Sequence, residues 1–111
     1  MTDPFAAAIT LDLDHLHRQT AGDTALEREV LNLFLTQSAT KLERIASAVS
    51  APERRAAAHG LVGSARAIGA LEVARLAALV ERAEDGPSDT LSALRAAVRA
   101  VEDVIRRHLR S

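Results

Sequence analysis

Residues 55–70 read R-A-A-A-H-G-L-V-G-S-A-R-A-I-G-A, a run of small and apolar residues with one histidine near its start. At about 100° per residue, one side of a helix through this stretch carries Ala57, Leu61, Ser64, Ala65 and Ile68. His59 points about 180° away from the centre of that cluster. Pro52 before the stretch and Gly69 near its end predict a helix over about residues 51–69. The stretch therefore predicts a core-facing helix that displays His59 to solvent.

Helical apolar spacing continues on both sides of this stretch. Before it, we predict a short leading helix over residues 11–19, with Thr10 as N-cap, and a long amphipathic helix over 24–49. After it, we predict a helix over 71–85 that Gly86-Pro87 ends, and a last helix with Ser88 as its N-cap. Short connections make consecutive long helices antiparallel neighbours. The predicted fold is all-α: an antiparallel up-down four-helix bundle with a short N-terminal capping helix.

Composition limits the function classes. A chain of 111 residues that is 48% hydrophobic suits one domain, which we expect to span residues 1–111. The 14 basic and 15 acidic residues nearly balance, so no overall field favours nucleic acid or an anionic membrane. The absence of cysteine excludes disulfides, thiolate metal sites and thiol catalysis. Without a signal-like start or an apolar run of membrane-spanning length, we expect a cytoplasmic protein without membrane insertion.

The helical spacing predicts that His59 has cationic and small neighbours. Arg55 lies one turn before it, Val62 and Gly63 one turn after it, and Arg66 two turns after it. Glycine destabilises a helix interior by about 0.5–1 kcal/mol relative to alanine, and close approach of another backbone is the usual reason for it. A neutral imidazole can attack phosphorus, and arginine can stabilise phosphoryl oxygens. The group is chemically sufficient for a phosphohistidine, although a lone surface histidine can also have no role.

Residues 59–76, H-G-L-V-G-S-A-R-A-I-G-A-L-E-V-A-R-L, resemble the signature of histidine-containing phosphotransfer (HPt) domains, in which leucine, lysine, glycine and small residues follow the histidine. The resemblance covers nearly the whole chain. It implies that His59 is the phosphoacceptor, which takes a phosphoryl group from a receiver-domain aspartate and passes it to another receiver. By the same resemblance, Gly63 lets the partner come close. Val62 stands where the family usually has a lysine, so either transfer is slower or Arg66 or Arg55 supplies the charge.

Two further side chains are candidate supports for the site. Ser64 could donate a hydrogen bond near the histidine, but its predicted inward direction favours a bond to its own backbone carbonyl. Gln37 lies where the family often places a polar residue close to the histidine, and a solvated face is the alternative. His15 and His17 are interpreted as surface residues, because their spacing is poor for one metal ion. We therefore predict no metal site and no cofactor.

Three functions remain at this point. The first is a phosphohistidine carrier in a two-component phosphorelay, a monomer whose partners are response-regulator receiver domains and a hybrid or sensor histidine kinase. No G-x-x-x-x-G-K-[ST] loop is present, so we predict no intrinsic kinase activity and no enzyme. The second is a non-catalytic helical adaptor that binds a receiver or kinase domain without efficient transfer. The third is a bundle that holds a metal or haem, which would need inward carboxylates or histidines that the apolar stripes lack.

Overall fold

The computed structural model describes residues 10–84 and 89–110, and in these ranges the chain forms five α-helices and no strand. The helices are α1 (Leu13–Gln19), α2 (Thr24–Ser47), α3 (Ala51–Ile68), α4 (Leu71–Arg82) and α5 (Asp89–Arg110). The prediction of an all-α chain is confirmed. None of the described helices combines the length and the apolarity that a membrane span requires.

Polar side chains fix where three of the helices begin. Asp12, Asp23 and Ser50 each accept a hydrogen bond from the backbone N–H three residues later, at 3.0, 3.0 and 3.3 Å. Each bond satisfies a backbone donor that has no partner inside the helix. The prediction of Thr10 as the N-cap of α1 was wrong, because Asp12 caps that helix and its first residue is Leu13.

The helix ends differ from the predictions in two places. α2 ends at Ser47, and Val49, which the prediction placed inside this helix, is 90% exposed beyond it. α4 ends at Arg82 rather than near residue 85. There the buried Arg54 of α3 donates to the carbonyl oxygen of Ala83 at 2.8 Å, so a cation from a neighbouring helix satisfies a carbonyl just past the last turn. The predicted Gly86-Pro87 stop and the predicted Ser88 N-cap lie outside the described residues.

The core lies around α3. This helix packs against α1, α2 and α4, and α5 closes the arrangement by packing against α2 and α4. Every helix contributes side chains that are buried almost completely, chiefly Leu16, Leu31, Phe34, Ile45, Leu61, Ala65, Ile68, Val73, Val80, Leu94, Val98, Val101 and Ile105. The apolar side predicted for the third helix is buried in this core, at Ala57, Leu61, Ala65 and Ile68.

The N-terminal segment is fastened to the end of the histidine helix. Gly69 adopts a left-handed conformation with φ +79°, and a Cβ there would lie 2.8 Å from the backbone oxygen of Asp12. The backbone N–H of Asp12 donates to the carbonyl of Gly69 at 3.0 Å, and Nε2 of His15 hydrogen-bonds the carbonyl of Arg66 at 3.1 Å. His15 is thus half-buried and structural rather than a surface residue. These contacts hold the C-terminal end of α3 in place.

A second polar cluster joins α1, α2 and α5. The buried carboxylate of Glu27 accepts a hydrogen bond from Nε2 of His108 at 3.0 Å and lies 3.8 Å from Nδ1 of His17. Buried carboxylates are destabilising unless they are hydrogen-bonded. The hydrogen bond from His108 therefore stabilises the buried carboxylate of Glu27, away from His59.

Candidate functional site

His59 lies in the middle of α3 on its outer side, as the spacing predicted. Its side chain is 76% exposed, whereas Ala57, Leu61 and Ala65 are buried on the opposite side of the helix. The imidazole is therefore open to a macromolecular partner.

The carboxylate of Glu81, on α4, holds one nitrogen of this ring. Oε1 of Glu81 lies 2.9 Å from Nδ1 of His59. An ionised carboxylate only accepts hydrogen bonds, so Nδ1 carries the proton in this pair. In the neutral ring, the lone pair then belongs to Nε2. The pair fixes both the tautomer and the orientation of the imidazole.

Sequence analysis did not identify Glu81 as part of the site. The signal that could have found it is the distance from the turn between the two helices. His59 lies ten residues before Gly69 and Glu81 lies twelve residues after it. Two packed helices joined by so short a connection bring residues at similar distances from the turn to the same level.

Val62 does not lie on the exposed face, and that prediction was wrong. Its side chain is only 4% exposed and belongs to the core. Val62 is about 60° around the helix from His59, and the packing of α4 against α3 covers the helix this close to the histidine. A branched apolar side chain suits a buried position, so a cation at this position would lack solvent.

Arg55, Gly63 and Arg66 are exposed, as predicted. A Cβ at Gly63 would meet no atom within 4 Å, so the packing of this chain does not require glycine there. Neither arginine forms an ion pair with any part of the chain that the structure describes. The face around His59 therefore combines an open backbone position with uncompensated positive charge.

Ser64 and Gln37 meet through a residue that sequence analysis did not single out, Lys41 of α2. The hydroxyl of Ser64 donates to the carbonyl of Gly60 at 3.1 Å, which is the backbone bond that its position predicted. The same hydroxyl accepts from Nζ of Lys41 at 2.9 Å, and Oε1 of Gln37 accepts from Nζ at 3.4 Å. Gln37 and Ser64 thus share the ammonium group of Lys41 as a donor.

An apolar groove of about 160 Å³ runs between α2 and α3 beside Gly63. Leu33, which is 55% exposed, forms one of its edges. The lining residues are Val30, Leu33, Phe34, Gln37, Ser64, Ala67 and Ile68. A groove of this kind next to the open glycine can receive apolar side chains of a partner.

Arg75 on α4 is engaged locally. Its Nε and Nη2 donate to the carboxylate of Glu72 at 3.0 and 2.6 Å. This hydrogen bond lowers the pKa of Glu72 and raises the pKa of Arg75. The positive charge of Arg75 is therefore balanced on its own helix, in agreement with a solvated face. Among the residues described, no three histidine, aspartate or glutamate side chains are grouped so that they could hold a metal ion.

Comparisons with known proteins bear on this geometry. The family model of the Hpt domain matches residues 29–107, which is well over half of the chain and includes His59, Glu81 and Lys41. The comparison with curated proteins found no match, and neither did the comparison with solved structures.

Proposed function

The chain belongs to the Hpt domain family, and on that premise we propose that it carries a phosphoryl group between receiver-domain aspartates through His59. Hpt domains take part in the histidine phosphotransfer of phosphorelays and act as carriers rather than kinases. Their partners are two-component proteins such as receiver domains and kinases. The proposal assigns the transfer to one atom, Nε2 of His59.

The observation that carries the proposal is the contact between His59 and Glu81. A proton held on Nδ1 at 2.9 Å from a carboxylate leaves Nε2 as the nucleophilic atom of an imidazole that is 76% exposed. No proton has to be removed from Nε2 before it attacks. The pair supports a histidine that is oriented and activated before the partner arrives.

The transfer step balances without a further reactant. The lone pair on Nε2 attacks the phosphorus of an aspartyl phosphate, an N–P bond forms, and the P–O bond to the acyl oxygen breaks. The electron pair of that bond returns to the partner's aspartate as a carboxylate. The ring, now bonded at both nitrogens, is positively charged, and the carboxylate of Glu81 stabilises it through the Nδ1–H bond. Attack by a second aspartate on the phosphohistidine reverses these changes.

Docking in this proposal uses the exposed side of α3 and the groove beside it. Gly63 leaves the helix surface open to a close backbone approach, and Leu33 and Ala67 offer apolar contacts. The receiver supplies its own metal ion and most of the catalytic charge, so this chain needs no cofactor.

The finer architecture belongs to the same proposal. We place α2 to α5 in an antiparallel up-down four-helix bundle that α1 caps, within a single domain over residues 1–111. The protein acts as a cytoplasmic monomer whose partners are a receiver domain and a hybrid or sensor kinase.

One observation favours a second candidate, a non-catalytic adaptor. Val62 is buried and neutral at the position where the family usually has a lysine, so that source of positive charge is missing. An adaptor would keep the docking surface and bind a receiver or kinase domain without efficient transfer.

Incubation with a phosphorylated receiver domain separates the two candidates. The carrier gains acid-labile, base-stable phosphate rapidly, and the His59→Gln variant gains none. Tight binding of the phosphorylated receiver without any label on the wild-type protein would contradict the carrier and support the adaptor.

A further inference from the structure

Lys41 is the only lysine in the sequence, and its side chain packs against Gly60 of α3, the residue that follows His59. A Cβ placed on Gly60 would lie 3.1 Å from Cε and 3.6 Å from Cδ of Lys41. Glycine destabilises a helix interior, and Gly60 needs a reason to be there. In this structure, the absence of a side chain at Gly60 leaves room for the aliphatic part of the Lys41 side chain.

The ammonium group of Lys41 is held by neutral oxygens alone. Nζ contacts the hydroxyl of Ser64 at 2.9 Å, the carbonyl of Gly60 at 3.4 Å and the amide oxygen of Gln37 at 3.4 Å. No carboxylate oxygen of the described residues lies within 4.0 Å of it. The positive charge is thus positioned but not neutralised, unlike that of Arg75.

The position of this charge relative to His59 follows from helix geometry. Gly60 and Ser64 lie about 100° and 140° around α3 from His59, on the same side of the histidine as Gly63. α2, which carries Lys41, and α4, which carries Glu81, both pack against α3. α4 thus brings a carboxylate to Nδ1 of His59, and α2 brings an ammonium group to the neighbouring residue Gly60, on the other side of the histidine.

Lys41 is better placed than the two arginines on α3. Arg55 lies about 6 Å before His59 along the axis of α3, and no ion pair fixes its guanidinium group in the part of the chain that the structure describes. Arg66 lies about 10 Å further along the axis. By contrast, Nζ of Lys41 already contacts the residue that follows His59. A groove of about 370 Å³ next to Lys41 gives its side chain room to move.

We propose that Lys41 binds the phosphoryl group on His59, and thereby supplies from α2 the positive charge that Val62 does not. This inference rests on the proposed function of His59. When the phosphoryl group arrives, Nζ exchanges its neutral acceptors, Ser64 and Gln37, for phosphoryl oxygens, because an ammonium group binds an anionic oxygen more strongly than a neutral one. The bound charge stabilises both the transfer and the phosphohistidine that results from it.

The test uses the Lys41→Gln variant, with Arg44→Gln as the matched control. Arg44 is one turn later on α2 and lines the same 370 Å³ groove, so the control removes an equal charge from the same groove, at a more exposed position. Each protein is phosphorylated with phosphoramidate and, separately, with a phosphorylated receiver domain. We expect Lys41→Gln to lower the rate of His59 phosphorylation by about tenfold, Arg44→Gln by less than about twofold, and Lys41→Arg to restore part of the loss.

A second measurement needs no variant. In ¹⁵N-lysine-labelled protein, the single ammonium signal belongs to Lys41, and we expect it to shift when His59 is phosphorylated. Equal rates for wild type and Lys41→Gln, or an unchanged ammonium signal, would overturn the role of Lys41. These results would leave the proposed function of His59 unaffected. Absence of label on the wild-type protein would instead overturn the proposed function and this inference with it.

Discussion

In the proposed function, the hydrogen bond between His59 and Glu81 determines which nitrogen of the imidazole reacts. A neutral imidazole carries its proton on one of two nitrogens, and without a partner the ring exchanges between the two tautomers. The carboxylate of Glu81, 2.9 Å from Nδ1, favours the tautomer with the proton on Nδ1 and the lone pair on Nε2. The same bond stabilises the positive ring of a phosphohistidine. At the scale of residues, reactivity therefore depends on a side chain from a different helix.

Replacement of Glu81 tests this dependence. We expect Glu81→Leu to slow phosphorylation of His59 by about tenfold, because the hydrogen bond to a charged acceptor is lost at a partly exposed site. Glu81→Gln is the control, since its amide oxygen can still accept from Nδ1–H, and we expect a loss of less than about threefold. Transfer from a phosphorylated receiver measures both rates. A Leu variant as fast as the Gln variant would contradict the role of this bond.

The family pattern suggests a lysine at position 62, but the burial of Val62 predicts that a lysine there destabilises the fold. We expect Val62→Lys to lower the free energy of unfolding by about 2 kcal/mol or more, because a charge would be forced into the core. Ala67→Lys, at an exposed position of the same helix, should change it by less than about 0.5 kcal/mol. Urea unfolding measures both. A fully stable Val62→Lys variant with faster transfer would show that the position can serve the site.

At the scale of elements, Gly63 and Gly69 of α3, the helix that carries His59, are glycines for different physical reasons. Gly69 ends α3 with φ +79° and in direct contact with the backbone of Asp12, so its lack of a side chain is structural. Gly63 has open space around it, so nothing in the packing of this chain explains its presence. Gly69 therefore has a structural role in this chain, whereas the open space at Gly63 agrees with the proposed docking of a partner.

Alanine substitutions separate these two reasons. We expect Gly69→Ala to destabilise the fold by about 1–3 kcal/mol, from backbone strain together with the overlap with Asp12. Gly63→Ala should stabilise it by about 0.5–1 kcal/mol, because alanine is the better helix former. Thermal or urea unfolding provides the measurement. Destabilisation by Gly63→Ala would mean that this position is already in contact within the protein.

A larger side chain at the same open position tests docking. We expect Gly63→Leu to remain folded and to block transfer from a phosphorylated receiver, because the new side chain would hold the partner backbone away from the helix. Phosphorylation of this variant by the small donor phosphoramidate should continue, since that donor needs no docking surface. Unchanged transfer from the receiver would contradict the docking surface proposed here.

At the scale of the whole molecule, α1 is part of the core rather than an appendage. Leu16 is completely buried, and the segment before α1 hydrogen-bonds the end of α3. We expect Leu16→Ala to lower the free energy of unfolding by about 2–5 kcal/mol. The exposed Leu33→Ala should leave stability within about 0.5 kcal/mol and weaken binding of a receiver. Equal stability of the two variants would show that α1 is not packed as described.

Much of the fold could be predicted from the sequence because the signals are local. Apolar spacing within one helix predicted its buried side, and Pro52 and Gly69 predicted the ends of α3. The site was predictable only where it too is local, as with His59 and Gly63. Glu81 and Lys41 could not be assigned because their roles depend on how α4 and α2 are rotated against α3. Val62 was misplaced for the same reason, since its burial comes from a neighbouring helix.

The most direct test of the account is ¹⁵N NMR of histidine-labelled protein before and after incubation with a phosphorylated receiver domain. We predict a single phosphorylated histidine, His59, with the phosphoryl group on Nε2 and the proton retained on Nδ1. His15, His17 and His108 should keep their signals, because His15 is bound to the carbonyl of Arg66 and the other two lie beside Glu27. Phosphorylation at Nδ1 of His59, or at any other histidine, would contradict the account.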